Sequence, residues 1–300
     1  MYPKISAIIT TYKRAPDIVG RAVNSVLGQT YDNYEVIVVD DSPVDYELRD
    51  EVEKHITSLD SPIIYIKHEK NKGACAARNT GLDAASGEYI AYLDDDDEWL
   101  PEKLEKQIVP FSNPNIGLVY CNHYYLDERN NISHLVHHKR YEGYVYDKLI
   151  IHNFIGSTSY PLIKKEVLLG VGGFDVEMQS SQDYDLWLRI SQKNQIAFVD
   201  EALVVYHYHV NDRITSDVQK KLDGFFRLRE KNHDYLEKNK EAKWSMLLET
   251  SLYYSLNGEL GKAFCEWYDG VRCCPTKFLP NMRFFMIVLK NYFKSFVQRK

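Results

Sequence analysis

The stretch Tyr89-Ile-Ala-Tyr-Leu-Asp-Asp-Asp-Asp-Glu-Trp-Leu-Pro101 sets five consecutive carboxylates directly after a short apolar run. A short apolar run bounded by polar residues is typical of a buried strand. Adjacent carboxylates repel one another, and each ionises less readily because of its neighbours. The stretch therefore predicts a strand that ends in an acidic turn, where either water or a cation offsets the negative charge.

The sequence around this stretch alternates between predicted strands and predicted helices. Strands are predicted at 5–11, 35–41, 63–66 and 89–93, and helices at 16–27, 73–85 and 101–111. This alternation is typical of an α/β domain whose parallel strands are joined by right-handed crossovers.

The pattern weakens after residue 122. The segment 141–160 predicts no clear element, whereas 183–191 predicts a helix and 197–208 a strand. From residue 217 onward the sequence predicts mostly helices, including a helical hairpin formed by 244–256 and 259–272.

Polar residues follow three of the predicted strands, at Thr10–Arg14, Asp40–Asp41 and Asp94–Asp97. In open α/β sheets, ligands bind beyond the carboxyl ends of the strands, so we expect these residues to line one edge. In an Asp-x-Asp turn the first and third side chains, here Asp94 and Asp96, point into the same cleft. A divalent cation beside a diphosphate needs only one or two protein carboxylates. A solvated acidic turn is the alternative, but the other polar strand ends favour a cation site.

Composition and charge set limits on the partners of the chain. The 300 residues are 44% hydrophobic and 27% charged, as expected for a globular protein. The net charge of -6 argues against nucleic acid as a partner. The 5 cysteines include no Cys-x-x-Cys pair, so we expect reduced thiols and a cytoplasmic location. Neither a signal peptide nor an apolar run of the roughly 20 residues needed to span a membrane is predicted.

Other metal and phosphate chemistries fit the sequence less well. The chain contains no G-x-x-x-x-G-K-[ST] motif, which argues against a P-loop hydrolase. A calcium-binding loop starting at Asp94 would need Gly and Glu at its sixth and twelfth positions, but the sixth is Trp99. A phosphatase with an aspartate nucleophile would have Thr or Val where this chain has Glu98.

Several stretches together resemble the successive motifs of the family-two inverting glycosyltransferases, in the family's order and spacing. They are Ile8-Ile-Thr-Thr-Tyr-Lys-Arg14, Ser25-Val-Leu-Gly-Gln-Thr-Tyr31, Glu35-Val-Ile-Val-Val-Asp-Asp41, Asn71-Lys-Gly-Ala-Cys-Ala-Ala-Arg-Asn-Thr-Gly81 and the stretch from Gly87 to Trp99. Gly172-Gly-Phe-Asp175 and Gln182-Asp-Tyr-Asp-Leu-Trp-Leu-Arg189 resemble the family's acceptor-side block. The resemblance implies a GT-A, Rossmann-like nucleotide-sugar-binding domain at 1–217, followed by a mostly helical region at 218–300.

The resemblance also implies which residues bind the donor. By position, Thr10, Tyr12 and Asp41 hold the nucleotide base, with Arg14 and Arg78 nearby. Thr11 and Asp95 belong to the same nucleotide-sugar-binding motifs, and Asp94 contacts the ribose or the sugar.

Metal binding and catalysis are assigned in the same way. The resemblance implies that Asp96 binds a divalent cation, Mn²⁺ or Mg²⁺, on the diphosphate, and that His209 approaches the same group from a mobile segment. It implies that Asp183 is the general base. Many relatives have Glu where this chain has Gln182, which puts in doubt only the role of that neighbour in acceptor binding.

Residue chemistry agrees with several of these roles. Tyr12 can stack on a nucleobase, and Asp41 can accept a hydrogen bond from a ring N–H, which favours uracil or thymine over a purine. Arg78 lies among small residues in a predicted helix, so we expect its guanidinium to reach an anion; a surface ion pair is the alternative.

The predicted function is transfer of a sugar from a nucleoside-diphosphate sugar, UDP-linked, to a hydroxyl of a glycan or lipid-linked acceptor, with inversion, in surface polysaccharide synthesis. One alternative is a nucleotidyltransferase, but Thr10–Arg14 lacks the glycines of its phosphate loop. The other is a non-catalytic sugar-nucleotide-binding module, against which the presence of Asp183 and the Asp-x-Asp turn argues.

The C-terminal segment carries a separate prediction. From Gly270 onward there is no Asp or Glu. The predicted helix has an apolar face formed by Phe285, Val288, Leu289, Tyr292, Phe293 and Phe296, with Arg283, Lys290 and Lys294 largely opposite. Such a helix suits peripheral contact with anionic lipid on the inner face of the membrane. The alternatives are packing on the helical hairpin, or oligomerisation, and the sequence predicts no oligomeric state.

Overall fold

The computed structural model describes residues 2–59, 62–127, 129–208 and 217–298. These residues form two compact units, and several segments of the chain alternate between them. The first unit comprises the described residues of Met1–Tyr146, Phe154–Val176 and Leu186–His209. The second comprises those of Asp147–Asn153, Glu177–Asp185 and Val210–Lys300.

The strands of the first unit join in a single sheet. Within the described residues the strands are β1 (Ile5–Thr11), β2 (Tyr34–Asp40), β3 (Ile63–Lys67), β4 (Tyr89–Asp94), β5 (Glu98–Trp99), β6 (Ile116–Asp127), β7 (Ile132–Val136), β8 (Leu162–Lys164) and β9 (Gln195–His207). Their order is β3-β2-β1-β4-β8-β6-β9-β5, with β7 paired to β6. The first four strands are parallel, as predicted, whereas β8 runs antiparallel to both of its neighbours.

The described helices of both units are numbered together in chain order. They are α1 (Pro16–Leu27), α2 (Arg49–Thr57), α3 (Ala74–Ala84), α4 (Lys103–Ile108), α5 (Tyr146–Leu149), α6 (Lys165–Gly170), α7 (Gln182–Ser191), α8 (Val218–Lys231), α9 (His233–Lys238), α10 (Lys240–Leu256), α11 (Leu260–Cys273) and α12 (Phe278–Gln298). A 3₁₀ turn at Val109–Ser112 follows α4. No helix within the described ranges is both long enough and apolar enough to cross a membrane.

The core of the first unit explains why the early elements could be read from sequence. Val19, Val23 and Val26 recur on one face of α1 and are fully buried against the sheet. The small residues of α3 allow close packing: a Cβ added to Gly81 would lie 2.3 Å from Cγ2 of Ile8. The predicted α/β class is therefore confirmed, and the sheet edge beyond β1, β2 and β4 is held by a packed core.

The second unit contains the helices α8 to α12 that follow residue 217, which confirms the predicted helical C-terminal region. Helices α10 and α11 form the predicted hairpin. On α12, Phe285 packs on Trp267 with ring centroids 4.8 Å apart, and Val288 is fully buried, whereas Met286 and Ile287 are exposed. The side chains of the predicted apolar face from Tyr292 onward lie outside the described residues. The division into functional domains at residue 217 stays a prediction.

Candidate active site

The parallel strands bring the predicted polar strand ends to one edge of the sheet. Thr10 lies in register with Val39 of β2 on one side and with Asp94 of β4 on the other. Thr11 pairs with Asp40. The carboxyl ends of β1, β2 and β4 therefore meet at the edge where open α/β sheets bind their ligands.

The acidic turn after β4 alternates between accessible and buried carboxylates. The side chain of Asp94 is 31% exposed and that of Asp96 is 24% exposed. The intervening Asp95 and the following Asp97 are buried. This alternation leaves the first and third carboxylates of the Asp-x-Asp turn accessible to a ligand, which the prediction for these residues requires.

Two arginines neutralise part of the negative charge of this turn. Arg14 donates from Nε to Asp95 at 3.0 Å and from Nη2 to Asp96 at 2.8 Å. Arg78 donates to Oδ1 of Asp94 at 2.8 Å, and its guanidinium lies 5.2 Å from the centroid of the Phe174 ring. The anion that the sequence led us to expect near Arg78 is therefore, in this structure, a carboxylate of the chain itself.

The two buried carboxylates of the turn remain destabilised despite these arginines. Burial, together with the charge of Asp96, raises the pKa of Asp95 from 3.8 to about 6, against the opposing effect of Arg14. Burial and the charges of Asp94 and Asp96 raise the pKa of Asp97 well above its usual range. Such raised pKa values mark a place where added positive charge is favourable.

A run of hydroxyl side chains that the sequence did not identify contacts the same turn. Thr158 donates to Asp94 at 2.9 Å, and Ser157 donates to its other oxygen at 3.3 Å. Ser159 donates to Asp97 at 2.6 Å and accepts from the backbone N–H of Asp94 at 3.1 Å. The sequence signal is the Ser-Thr-Ser run itself, which gives no indication of partners about 60 residues away.

Asp41 holds the loop that leads into α3. It accepts hydrogen bonds from the backbone N–H groups of Lys72 and Gly73, each at 2.8 Å, and its Oδ1 lies 2.7 Å from Nδ1 of His68. The loop needs Gly73, because its φ of 88° lies in the left-handed region that other residues rarely adopt. His68, which also contacts Thr80 at 2.9 Å, was not identified from the sequence.

The loop after β1 presents an exposed aromatic ring. Tyr12 is 45% exposed, and the ammonium group of Lys13 lies 5.6 Å from its ring centroid. The backbone N–H of Lys13 donates to Ser42, which ties this loop to the end of β2. Tyr12 is thus available for stacking on a planar ligand, and its predicted role in base binding stays a prediction.

Trp99, at the far end of the acidic turn, is buried rather than exposed. Its indole N–H donates to the backbone oxygen of Ser159 at 3.0 Å, and the ammonium group of Lys103 lies 4.3 Å from its ring centroid. Lys103 also donates to Gln107, and burial lowers its pKa to about 8. Trp99 is therefore part of the buried structure that holds the turn, because Ser159, which it contacts, also binds Asp97.

Two predicted site residues, His209 and Asp183, are not part of the acidic turn. His209 lies outside the described residues. His207, two residues earlier on β9, is buried, and its Nε2 lies 2.7 Å from Oε1 of Glu98.

Asp183 belongs to the second unit, where it lies in the first turn of α7. Its Oδ1 accepts a hydrogen bond from the backbone N–H of Tyr184 at 2.7 Å, which orients the carboxylate. Asp185, two residues further along α7, is buried and forms an ion pair with Lys231 at 2.5 Å. Asp185 is therefore a structural carboxylate, whereas the role of Asp183 as base stays a prediction.

The family model described as glycosyl transferase family 2 matches residues 6–170, which include both arginines and the whole acidic turn. The chain belongs to glycosyltransferase family 2. This assignment confirms the resemblance found in the sequence and favours a glycosyltransferase over a nucleotidyltransferase.

Relatives of this family-2 glycosyltransferase include two Escherichia coli proteins. The chain is 31% identical over 272 residues to the putative colanic acid biosynthesis glycosyl transferase WcaA of strain K12, covering 82% of this chain and 92% of that protein. It is 32% identical over 219 residues to the UDP-Glc:alpha-D-GlcNAc-diphosphoundecaprenol beta-1,3-glucosyltransferase WfgD, covering 73% and 82%.

Solved structures share its fold at lower sequence identity. One is S. aureus TarS 1–349 in complex with UDP-GlcNAc, with a TM-score of 0.65, 18% identity, and coverage of 99% of this chain and 92% of that one. Another is the mannosyltransferase PcManGT from Pyrobaculum calidifontis in complex with GDP-Man and Mn²⁺, with a TM-score of 0.63, 15% identity, and coverage of 100% and 89%. With the family assignment, these similarities confirm the predicted GT-A fold.

Proposed function

We propose that this enzyme transfers a sugar from a nucleoside-diphosphate sugar to an acceptor hydroxyl, with inversion at the anomeric carbon, in the synthesis of a bacterial polysaccharide. The observation that carries the proposal is the turn at the end of β4, where Asp94 and Asp96 are accessible and are paired with Arg78 and Arg14. Carboxylates and guanidinium groups at the carboxyl edge of a parallel sheet suit a ligand that combines hydroxyl groups with phosphate.

The base of the donor is assigned to the loops after β1 and β2. Tyr12 offers an exposed ring for stacking, with Thr10 and Thr11 beside it on β1 and Asp41 at the end of β2. A uridine donor is favoured by the relative whose name specifies UDP-Glc. Asp41 retains the capacity to accept a further hydrogen bond, because a carboxylate has about four acceptor positions and three are used here.

A divalent cation fits the acidic turn. Burial, together with the charges of neighbouring carboxylates of the turn, raises the pKa values of Asp95 and Asp97, so a cation at the turn would stabilise their ionised forms. Within the described residues, no group of three or more His, Cys, Asp or Glu side chains is arranged to hold a metal ion. This agrees with Mg²⁺ or Mn²⁺ sites that use one or two carboxylates, here led by Asp96, and take their other ligands from phosphate and water. When bound, the cation would neutralise charge on the leaving diphosphate.

Asp183 is assigned as the general base. A sugar hydroxyl is a weak nucleophile at neutral pH, and a positioned carboxylate that removes its proton contributes typically about 10²–10⁴ in rate. The hydrogen bond from the N–H of Tyr184 to Oδ1, 2.7 Å long, holds the carboxylate of Asp183 in a defined orientation. The acceptor is proposed to be lipid-linked, by analogy with the relative whose name includes diphosphoundecaprenol.

Contact with the membrane is proposed for α12. Its exposed residues include Met286 and Ile287 together with the basic Arg283 and Lys290. An exposed face that mixes apolar and basic side chains, in a segment without acidic residues, suits the interface of an anionic bilayer.

The test is a screen of UDP-, GDP- and dTDP-sugars for release of nucleotide, with MnCl₂ or with EDTA, followed by transfer assays with the active donor. The anomeric coupling constant of the product, measured by NMR, decides between inversion and retention. Absence of turnover with every donor would refute the enzymatic proposal and support a non-catalytic sugar-nucleotide-binding module.

The base assignment is tested with Asp183→Asn, which preserves shape but cannot take up the proton. Glu177→Gln is the matched control, because it makes the same chemical change on an exposed carboxylate of the same unit, paired with Arg227. We expect transfer to fall by about 10²–10⁴ in Asp183→Asn and to stay unchanged in Glu177→Gln. Normal transfer by Asp183→Asn would show that another group is the base.

A further inference from the structure

The second unit contains a cavity that includes Asp183 in its wall. Its volume is about 270 Å³, close to the lower end of the roughly 300–1,000 Å³ typical of small-molecule sites. It is lined by the segment before residue 154, by the start of α7, and by side chains from α8 and α10. Neither α8 nor α10 falls within the residues 6–170 that the family model matches, so only the part of the wall formed by the segment before residue 154 lies in the matched region.

One wall of the cavity is aromatic. The rings of Tyr184 and Phe225 lie 6.4 Å apart, and those of Phe225 and Tyr253 lie 5.2 Å apart, measured between centroids. Tyr184 is fixed by the hydrogen bond from its hydroxyl to the backbone oxygen of Leu149 at 2.8 Å. Aromatic rings provide large apolar contact area with little loss of conformational entropy, and such walls suit the C–H faces of a sugar ring.

The cavity wall also carries two carboxylates, those of Asp183 and Glu249. Glu249 lies on α10 one turn after Ser245 and one turn before Tyr253, so all three line the cavity from the same helix face. Ser245 donates to the backbone oxygen of Ile151 at 2.7 Å, which holds this face in place. Among the described residues, none donates a hydrogen bond to the carboxylate of Glu249 or forms an ion pair with it.

Such a half-buried carboxylate is costly unless a ligand supplies donors. Burial raises the pKa of Glu249 above its ordinary value, because partial removal from water disfavours the charged form. The loop before α7 is strained as well, because Ser181, which also lines the cavity, has a φ of 53°. Residues held in strained backbone conformations cluster at binding sites, and here the strained Ser181 lies in the same cavity wall as Glu249.

We propose that this cavity is the acceptor subsite and that it holds one uncharged sugar ring. Glu249 accepts hydrogen bonds from the ring hydroxyls, Tyr253 packs on an apolar face of the ring, and another hydroxyl is presented to Asp183. The proposal rests on the assignment of Asp183 as general base, because the hydroxyl that Asp183 deprotonates must lie in this cavity. The described residues that line it include no Lys or Arg, so a sugar carrying a carboxylate would face two like charges and be rejected.

The test uses methyl glycosides of glucose, galactose, mannose and N-acetylglucosamine as neutral probes, and methyl glucuronide as the charged probe. Binding is measured by saturation-transfer-difference NMR, without a donor. We expect wild-type protein to bind at least one neutral glycoside and to reject the glucuronide. Glu249→Gln should weaken the neutral glycoside at least about 10-fold, the loss of one charged hydrogen bond, and should reduce the discrimination against the glucuronide.

Glu241→Gln is the matched control, because Glu241 lies two turns earlier on α10, is exposed and pairs with Lys277. Unchanged binding in Glu249→Gln, equal binding of the glucuronide by the wild type, or no binding of any neutral glycoside would overturn the proposal. Transfer assays separate this outcome from failure of the base assignment: Asp183→Asn should lose transfer yet still bind the neutral glycoside. If Asp183→Asn transfers normally, the base assignment fails whatever the NMR result.

Discussion

Asp95 allows a prediction about stability whose size follows from the structure. Its carboxylate is buried beside Asp96, and the effect of Arg14 offsets this only in part, so the pKa rises from 3.8 to about 6 in the folded chain. At about 1.4 kcal/mol per pKa unit, a rise of this size costs about 3 kcal/mol of folding free energy once the group is ionised.

The sign follows from proton binding. Between pH 4 and pH 6 the folded chain binds the proton of Asp95 more tightly than the unfolded chain does. Ionisation of Asp95 therefore favours unfolding, and the free energy of unfolding of the wild type falls as the pH rises from 4 to 6. In Asp95→Asn the group stays neutral at every pH, while its side-chain oxygen can still accept the hydrogen bond that Arg14 Nε donates at 3.0 Å.

The assay is urea unfolding followed by circular dichroism at pH 4, 5, 6 and 7, without divalent cations. We expect the free energy of unfolding of Asp95→Asn, relative to wild type, to increase by about 2 kcal/mol between pH 4 and pH 6 and to level off near pH 7. Asp50→Asn is the control, because it makes the same chemical change on a side chain that is 94% exposed, and it should not reproduce this rise. A flat curve for Asp95→Asn, or a relative loss of stability with rising pH, would refute the inference that the pKa of Asp95 is raised in the folded chain.

The remaining predictions concern the metal, the nucleotide and the membrane. EDTA should weaken UDP binding to the wild type by at least about 10-fold and should have little further effect on Asp96→Asn, as measured by titration calorimetry; equal wild-type affinity with and without Mn²⁺ would exclude the metal role. Asp183→Asn should retain UDP affinity within about a factor of two, because the lost function is proton transfer rather than nucleotide binding. A chain ending at Thr276 should float less with anionic liposomes than the full chain; equal flotation would leave packing as the role of α12.

The sequence predicted the elements in which one local pattern dominates. The strands before the polar ends are continuous apolar runs, and α1 and α3 have regular faces, so their bounds differ from the predicted ones by only a residue or so.

The middle of the chain was less predictable because its contacts are long-range. The first eight residues of β6 are all buried, so the strand has no alternating pattern, and its polar residues are satisfied from far away. Asn122, for example, donates to Asp200 at 3.0 Å. The hydroxyl groups of Ser157 and Thr158 contact Asp94 across more than 60 residues of sequence. Local periodicity carries no information about such partners.

The surroundings of Trp99 provide an intrinsic optical probe of this enzyme. The indole N–H is bonded to the backbone of Ser159, whose hydroxyl is bonded in turn to Asp97, and the amine of Lys103 lies over the ring. Fluorescence from this indole therefore depends on the hydrogen-bonded state of the acidic turn and on the charge of Lys103, which changes near pH 8. Substituting the other tryptophans with phenylalanine would isolate that emission and allow donor binding to be followed in real time without a labelled sugar.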